Sequence, residues 1–452
     1  MHWTLSIGAY ADNLPIGVIV RARAGMRRLS DDAGAGPDKA AVPLRIAAVL
    51  AVLVAAALVG IAHYANLSDW MRAPDAWTYD WRTAHFASRP KTAHKDIAVV
   101  TIDETSMERY ASLSPVSRML QAKLVGALEA AGAKAIGLDF FYDRPTLRDD
   151  DRILVTAIKN TKIPVVIGAI DKRSVLRDRD PEQSLAYQES FIAETGKAAA
   201  HLYFVNAEDQ GRFMIGDQVI RHRMPPSTEK PHRKGIAEAL ADAVKMRKSS
   251  PTTKAELIDW QRPPATGLDE HAVPVLRVAT HDPDAPAAAL FGKGWEEYVR
   301  GRIVLVGGAF GDRDRHLTPL SVSDRNKVPG VLIHAQILAQ LIDGREVKTL
   351  PILIEAALLV ATTLLGWVIA RRGWRIATVA YRAEAGGLVE NILAGTAVFL
   401  VGIVVYALSG LFFPSATIYF AFMAGLLLGN PPGLVSSMLD RANLIREGGK
   451  IS

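Results

Sequence analysis

From Ile97 to Phe140 the chain reads IAVVTIDETSMERYASLSPVSRMLQAKLVGALEAAGAKAIGLDF. The opening IAVVTID, Ile97–Asp103, is a short β-rich apolar run of strand length. Arg118–Ala131 then sets Leu120, Leu124 and Leu128 on one helical stripe. Gly132 is placed to end that helix. AIGLDF, Ala135–Phe140, is a second strand. Strand, helix, strand without a hairpin turn between the strands predicts a parallel βαβ unit.

The pattern continues outward. Asp149–Asn160 reads as a helix whose acidic first turn complements the helix dipole. IPVVIGAI, Ile163–Ile170, is a third strand, and RIVLVG, Arg302–Gly307, is another. Val331–Leu341 and Ile236–Met246 have helical spacing. Asp171–Gln188, Arg221–Lys234 and Lys248–Ala287 are rich in charge and proline and read as surface loops and short edge strands. The expected fold is an α/β domain with a largely parallel sheet covered on both faces.

Four long apolar runs frame this domain: Leu44–Ala65 before it, then Pro351–Ala370, Leu388–Leu408 and Leu411–Gly429 after it. Each has about the 20 residues that a helix needs to cross a bilayer. Arg21, Arg23, Arg27, Arg28 and Arg45 precede or open the first run. Arg371, Arg372, Arg375 and Arg382 separate the second from the third, and Arg441, Arg446 and Lys450 follow the fourth. Ser409 and Gly410, between the third and fourth, carry no charge. The positive-inside rule then puts both termini in the cytoplasm and the large domain outside. A cleaved signal peptide is the other reading of the first run, but the leader is long for an n-region and the run long for an h-region.

The expected organisation is a cytoplasmic disordered leader (1–43), a first span (44–65), an extracytoplasmic domain (66–350) and a second span (351–370). A cytoplasmic connector (371–387), spans at 388–408 and 411–429, and a short tail (430–452) complete it. Such a multi-pass protein belongs in the inner (plasma) membrane of a bacterial cell, its partner lipid bilayer included. The net charge of +6 is accounted for largely by the cytoplasmic flanks and calls for no nucleic acid. Cysteine is absent, which excludes disulfides, thiolate metal sites and a cysteine nucleophile.

The motifs carry a resemblance. VVTIDETSMERY, SPVSR, AGAKAIGLDFFYDRP and the acidic DDDRI, together with GRIVLVGGAFGDRDRHLTPLS and VPGVLIHAQILAQLIDGR, are similar to the type-two CHASE domain, the cyclase/histidine-kinase-associated sensory extracellular domain of the second class. IGDQVIR, ending at Arg221, resembles the family's intermediate turn. The resemblance spans about residues 68–346 and includes one span before the domain and three after it. One departure is Ser114-Pro115-Val116-Ser117, where the family often has a Trp-Pro pair before the arginine matching Arg118. Another is the tail: relatives continue into a cyclase or kinase, whereas Asn430–Ser452 is too short for a catalytic domain. The resemblance implies a sensory receptor that detects an unknown extracytoplasmic ligand. It would signal to a cytoplasmic kinase, cyclase or regulator in trans, in the usual case as a homodimer. A non-signalling envelope scaffold or binding subunit is the alternative.

Ligands of open parallel sheets collect at the carboxyl ends of the strands. Those ends carry Asp103 with Glu104, Asp139, Asp143, Gly307, Gly308, Gly311, Asp312 and Asp314, followed by Thr318 and His334. The candidate ligand-binding set is therefore Asp103, Arg118, Asp139, Asp143, Gly308, Asp312, Asp314, Thr318 and His334. The carboxylates suit helix caps and loop turns, a polar ligand, or a hard cation. Arg118 suits either an ion pair with Asp103 or Asp139, or an anionic ligand. His334, inside VLIHAQILAQL, reads first as a satisfied buried histidine. GGAFG, Gly307–Gly311, lacks the order of a phosphate loop. No cofactor or metal is expected, and no nucleophile elbow or zinc motif marks an enzyme. An extracytoplasmic hydrolase built on the carboxylates is the remaining class. Within the three spans after the domain the charged residues are Glu355 and Glu390, each close enough to an edge to reach headgroups or water.

Overall fold

The computed structural model describes residues 69–429 except 109–114, 147, 171–180, 204–218, 228–229, 266–270, 280–284, 312–314, 322–325 and 381–385, with residues 52–53, 56–57 and 59–60 before them. The chain divides into two compact units: residues 62–355 with 385–419, and residues 1–61, 356–384 and 420–452.

In the first unit, helix α1 (Asp69–Phe86) leads into β1 (Ile97–Ile102), α2 (Arg118–Ala130), β2 (Ala135–Asp139), α3 (Arg148–Asn160), β3 (Val165–Ala169), α4 (Pro181–Thr195) and β4 (Ala198–His201). Then follow β5 (His222–Arg223), α5 (Ile236–Ala243), β6 (Glu256–Leu257), β7 (Val275–Arg277), α6 (Trp295–Val299) and β8 (Ile303–Gly308). After β9 (Arg315–His316) and β10 (Val328–Pro329) comes α7 (Gly330–Asp343). Six strands form one sheet in the order β4-β3-β2-β8-β1-β7, every pair parallel. This is the parallel α/β arrangement expected from the strand and helix spacing.

Alternation along each strand feeds two cores. Ala98, Val100, Ile102, Val304 and Val306 face α2, α3 and α4. Ile97, Val99, Ile303 and Leu305 face α5 and α7. Both faces are buried because the crossover helices cover them, so β1 and β8 are apolar at nearly every position. Gly307 leaves room for α7: a Cβ there would lie 2.6 Å from the Val331 side chain.

One reading is corrected. Part of Asp171–Gln188, expected as loop, is the start of helix α4, Pro181–Thr195. Its buried positions, Ser184, Gln188, Phe191, Ile192 and Thr195, keep a helical period but are largely polar, so the apolar pattern does not show it. Gln188 occupies this core by bonding the Ile170 backbone at both N–H (2.6 Å) and C=O (3.3 Å). Proline suits the first helical position there because its missing N–H has no intrahelical acceptor to lose.

Downstream lie β11 (Lys348–Thr349), α8 (Ile352–Ala380), α9 (Gly386–Ser409), β12 (Leu411–Phe412) and α10 (Ser415–Gly429). Helix α8 continues through the RRGWR connector rather than ending at Ala370. The fourth apolar run is not helical from Leu411. Its first residues pair with Lys348 and Thr349, and the helix begins only at Ser415, after Pro414. Among the described residues one helix is long and apolar enough to cross a membrane, over Ile352–Ile369; Thr396–Ser409 and Ser415–Leu426 are shorter apolar helices. Most of the Leu44–Ala65 run lies outside the described residues, as does the Glu390 side chain. Glu355 does not stand at an open edge: its side chain is buried.

Candidate functional site

The carboxyl ends of the strands bring several of the candidate residues to one edge of the sheet. Asp139 lies opposite Gly307 in the β2–β8 register, and Ile102 lies opposite Gly308, so Asp103 begins the loop beside β8. Asp103 is used locally. Its Oδ1 accepts from the Ser106 N–H and hydroxyl, both at 2.9 Å, and its Oδ2 meets Arg277 at 3.0 Å. Asp143 is buried in the loop after β2. Gly308 ends β8, where a Cβ would press on the Phe310 ring at 2.9 Å. Asp312 and Asp314 lie outside the described residues.

Arg118 makes an ion pair, but not with Asp103 or Asp139. It starts α2 behind Ser117, whose side chain accepts from the Leu120 N–H. Its Nε meets Asp151 of α3 at 3.2 Å, while the guanidinium lies 4.6 Å from the centre of the Tyr142 ring. Tyr142 and Phe191 stack at 4.4 Å. Asp151 also accepts from the Thr146 N–H and hydroxyl and from the Tyr187 hydroxyl. Burial and this carboxylate push the Tyr187 phenol up to about 12. Arg118 thus ties the starts of α2 and α3 together, because Asp151 reaches it from the first turn of the neighbouring helix. Asp139 lies on the other side of the sheet, towards α7.

There His334 of α7 stands with Nε2 3.8 Å from an Asp139 oxygen, too far for a hydrogen bond, and both are buried. Burial first, then repulsion from His201 and His316, pushes the His334 imidazole down to about 3. It is neutral throughout the physiological range. The unfolded chain takes up a proton as pH falls through about 6.5, whereas the folded chain resists it. Stability from this residue is therefore complete above pH 6.5 and is lost progressively as pH falls towards 3. Unfolding measured against pH is expected to show this acid limb, and His334→Gln to flatten it.

Thr318 is fully buried and closes a turn with Ser321, hydroxyl to hydroxyl at 3.1 Å. That turn, Pro319–Ser321, packs against α1. Among the described residues no group of three His, Cys, Asp or Glu side chains converges as a metal site.

The charged residues that organise α1 were not in the candidate set. Asp80 and Arg221 form a buried two-bond pair, 2.8 and 2.6 Å, and the Tyr79 hydroxyl donates to the Ile258 carbonyl at 3.0 Å. One turn earlier, Asp75 accepts from the Ala416 and Thr417 N–H groups at 2.7 and 3.2 Å, capping α10. Arg82 is fully buried and donates to the carbonyls of Thr78, Gly402 and Phe413. One helix therefore bonds the α/β domain through one set of side chains and the α9–α10 turn through another. The sequence offered one signal for this: Arg221 closes the IGDQVIR motif.

A parallel α/β domain whose first helix bonds both the domain and the turn between two apolar helices defines the class. The chain belongs to the CHASE2 domain family: the family model, described as CHASE2 domain, matches residues 48–370, well over half of the 452-residue sequence. CHASE2 is a family of sensory extracellular domains. Comparison with curated proteins and with solved structures returned no match.

Proposed function

We propose that the protein is a membrane-anchored sensory receptor rather than an enzyme. In this reading its α/β domain lies outside the cytoplasm and four spans, at 44–65, 351–370, 388–408 and near 411–429, fix it in the plasma membrane. A stimulus bound by the domain changes the balance between two arrangements, which requires different affinity for each. The change passes to a cytoplasmic kinase, cyclase or regulator. The observation that carries the proposal is the divided polar face of α1. Asp80 holds the domain, while Asp75 and Arg82 hold the turn between two apolar helices. Both sets of bonds are buried and sit on one helix, the first an ion pair and the second bonds from charged side chains to backbone groups, so a shift of α1 alters both sets together. The positive charge of the RRGWR connector supports its cytoplasmic placement.

The test is in-cell crosslinking from the cytoplasmic face. A photo-crosslinking residue at Arg372 is expected to capture a kinase, cyclase or regulator, identified by mass spectrometry. Capture of envelope-assembly proteins instead would replace the receptor with a scaffold.

A further inference from the structure

A small cavity opens between the end of β4, the start of α5 and α7, lined by His201, Arg223, Gly235, Glu238, Thr252 and His334. Two charged side chains on its wall have unused hydrogen-bonding capacity. Arg223 is 4% exposed. Its Nη2 pairs with Glu256, but its Nε and Nη1 have no acceptor among the described residues. Glu238 is also 4% exposed. Its Oε1 pairs with Arg247, while its Oε2 has no donor among the described residues.

Helix α5 adds to the first of these. It starts after Gly235, which has no side chain to cap it. The Ile236 N–H is taken up in the parallel bridge between His201 of β4 and Gly235, whereas the Ala237 and Glu238 N–H groups have no intrahelical acceptor, and the helix dipole makes this end positive. The cavity therefore has a donor-rich wall, Arg223 with the α5 start, and one acceptor, Glu238. Leaving such buried groups unmet costs about 1–3 kcal/mol each, more when charged.

We propose that this cavity binds a small oxyanion that carries its own hydrogen-bond donor. The oxyanion oxygens accept from Arg223 and from the first turn of α5, and the ligand's donor is taken by Glu238 Oε2. The Arg223–Glu256 and Glu238–Arg247 pairs balance one another, so the attraction for a negative group comes from the helix end and the open N–H groups. The space left for an occupant is of the order of one or two water molecules, which limits the ligand to a few heavy atoms. Hydrogencarbonate has this size and both kinds of group, and glycine is a slightly larger member of the class. Only the role of the ligand as a stimulus rests on the receptor reading; the binding itself does not.

The full chain in lipid nanodiscs, at pH 8 and constant ionic strength, would be titrated with sodium hydrogencarbonate, glycine and sodium nitrate. Calorimetry and thermal unfolding would be read together. Nitrate is the control, because it matches hydrogencarbonate in shape and has no donor. The expected result is saturable binding of hydrogencarbonate or glycine, with nitrate at least about tenfold weaker. Arg223→Gln is expected to weaken the bound member by about tenfold or more. Glu238→Gln supplies a donor where the carboxylate was, and is expected to bring nitrate up to the level of hydrogencarbonate. Should Arg223→Gln fail to fold, the change of preference in Glu238→Gln decides alone. Equal responses to all three salts, no saturable response to any, or an unchanged preference in Glu238→Gln would overturn the proposal and leave water as the occupant. None of these outcomes touches the receptor reading, which fails only on the crosslinking result.

Discussion

Replacing Asp80 by alanine is expected to lower the stability of the protein by about 3–5 kcal/mol, the range for removing one member of a buried ion pair. Asp80 and Arg221 have side chains only 4% and 5% exposed. Two bonds of 2.8 and 2.6 Å use the Nε–Nη2 edge of the guanidinium against both carboxylate oxygens. Without the carboxylate, Arg221 keeps a buried charge with no counter-ion at that edge, and the desolvation of that charge is the main cost. The double replacement Asp80→Ala with Arg221→Met removes both charges and is expected to recover most of the loss. Denaturant unfolding of the purified full chain checks this. Similar stability of Asp80→Ala and the unmodified protein would show that the pair is solvated and does not hold α1. The substitution removes the ion pair between α1 and the domain while leaving the Tyr79 bond to Ile258 and the Asp75 and Arg82 bonds in place, so it weakens one end of the proposed relay without touching the other.

Gly366→Ala and Gly425→Ala are expected to be the most damaging small substitutions in the second unit. A Cβ at Gly366 would run into the Phe422 carbonyl and lie 3.0 Å from the Leu426 nitrogen. A Cβ at Gly425 would run into the Thr363 carbonyl and lie 3.0 Å from the Trp367 nitrogen. Both obstacles are backbone, so no side chain can turn aside to make room. The two helix segments pack with their backbones close, the arrangement that small residues permit between helices in a membrane. Each methyl must push the helices apart, and each replacement is expected to cost about 1–3 kcal/mol, the cost of overpacking a filled contact. Gly126→Ala is the control. It lies in the interior of α2 with nothing within 4 Å of the new Cβ, and alanine there is expected to stabilise by about 0.5–1 kcal/mol. Unfolding in mixed detergent would compare the three, and equal effects would refute the close contact.

Much of the α/β domain was legible without coordinates. IAVVTI and IVLVGG are apolar at period one because both faces of their strands are covered, and Leu120, Leu124 and Leu128 mark α2 by helical period. These signals are local, so a single stretch of chain contains them. The motifs around Asp103, Asp139 and Gly308 were equally visible, and so was their place at the strand ends. What they do there was not visible. Asp103 is held by Ser106 three residues on and by Arg277 from β7, and only the second of these needs the folded sheet. Helix α4 was missed because Ser184, Gln188 and Thr195 fill its buried stripe, and a polar residue is buried only when a partner such as the Ile170 backbone waits for it.

The sequence by itself determined the strand–helix alternation from β1 to β3, strand β8 and helix α7, the apolar runs that frame them and membership of the CHASE2 family, since each is written in short-range pattern. Tertiary structure alone decided which charges meet. Asp80 finds Arg221 across 141 residues, and Arg82 finds the Phe413 carbonyl across 331. It also set Arg223, Glu238 and the uncapped start of α5 around one cavity. Period and composition report how a segment is buried. Which buried polar groups satisfy one another depends on distances between remote segments, and those exist only once the chain has packed.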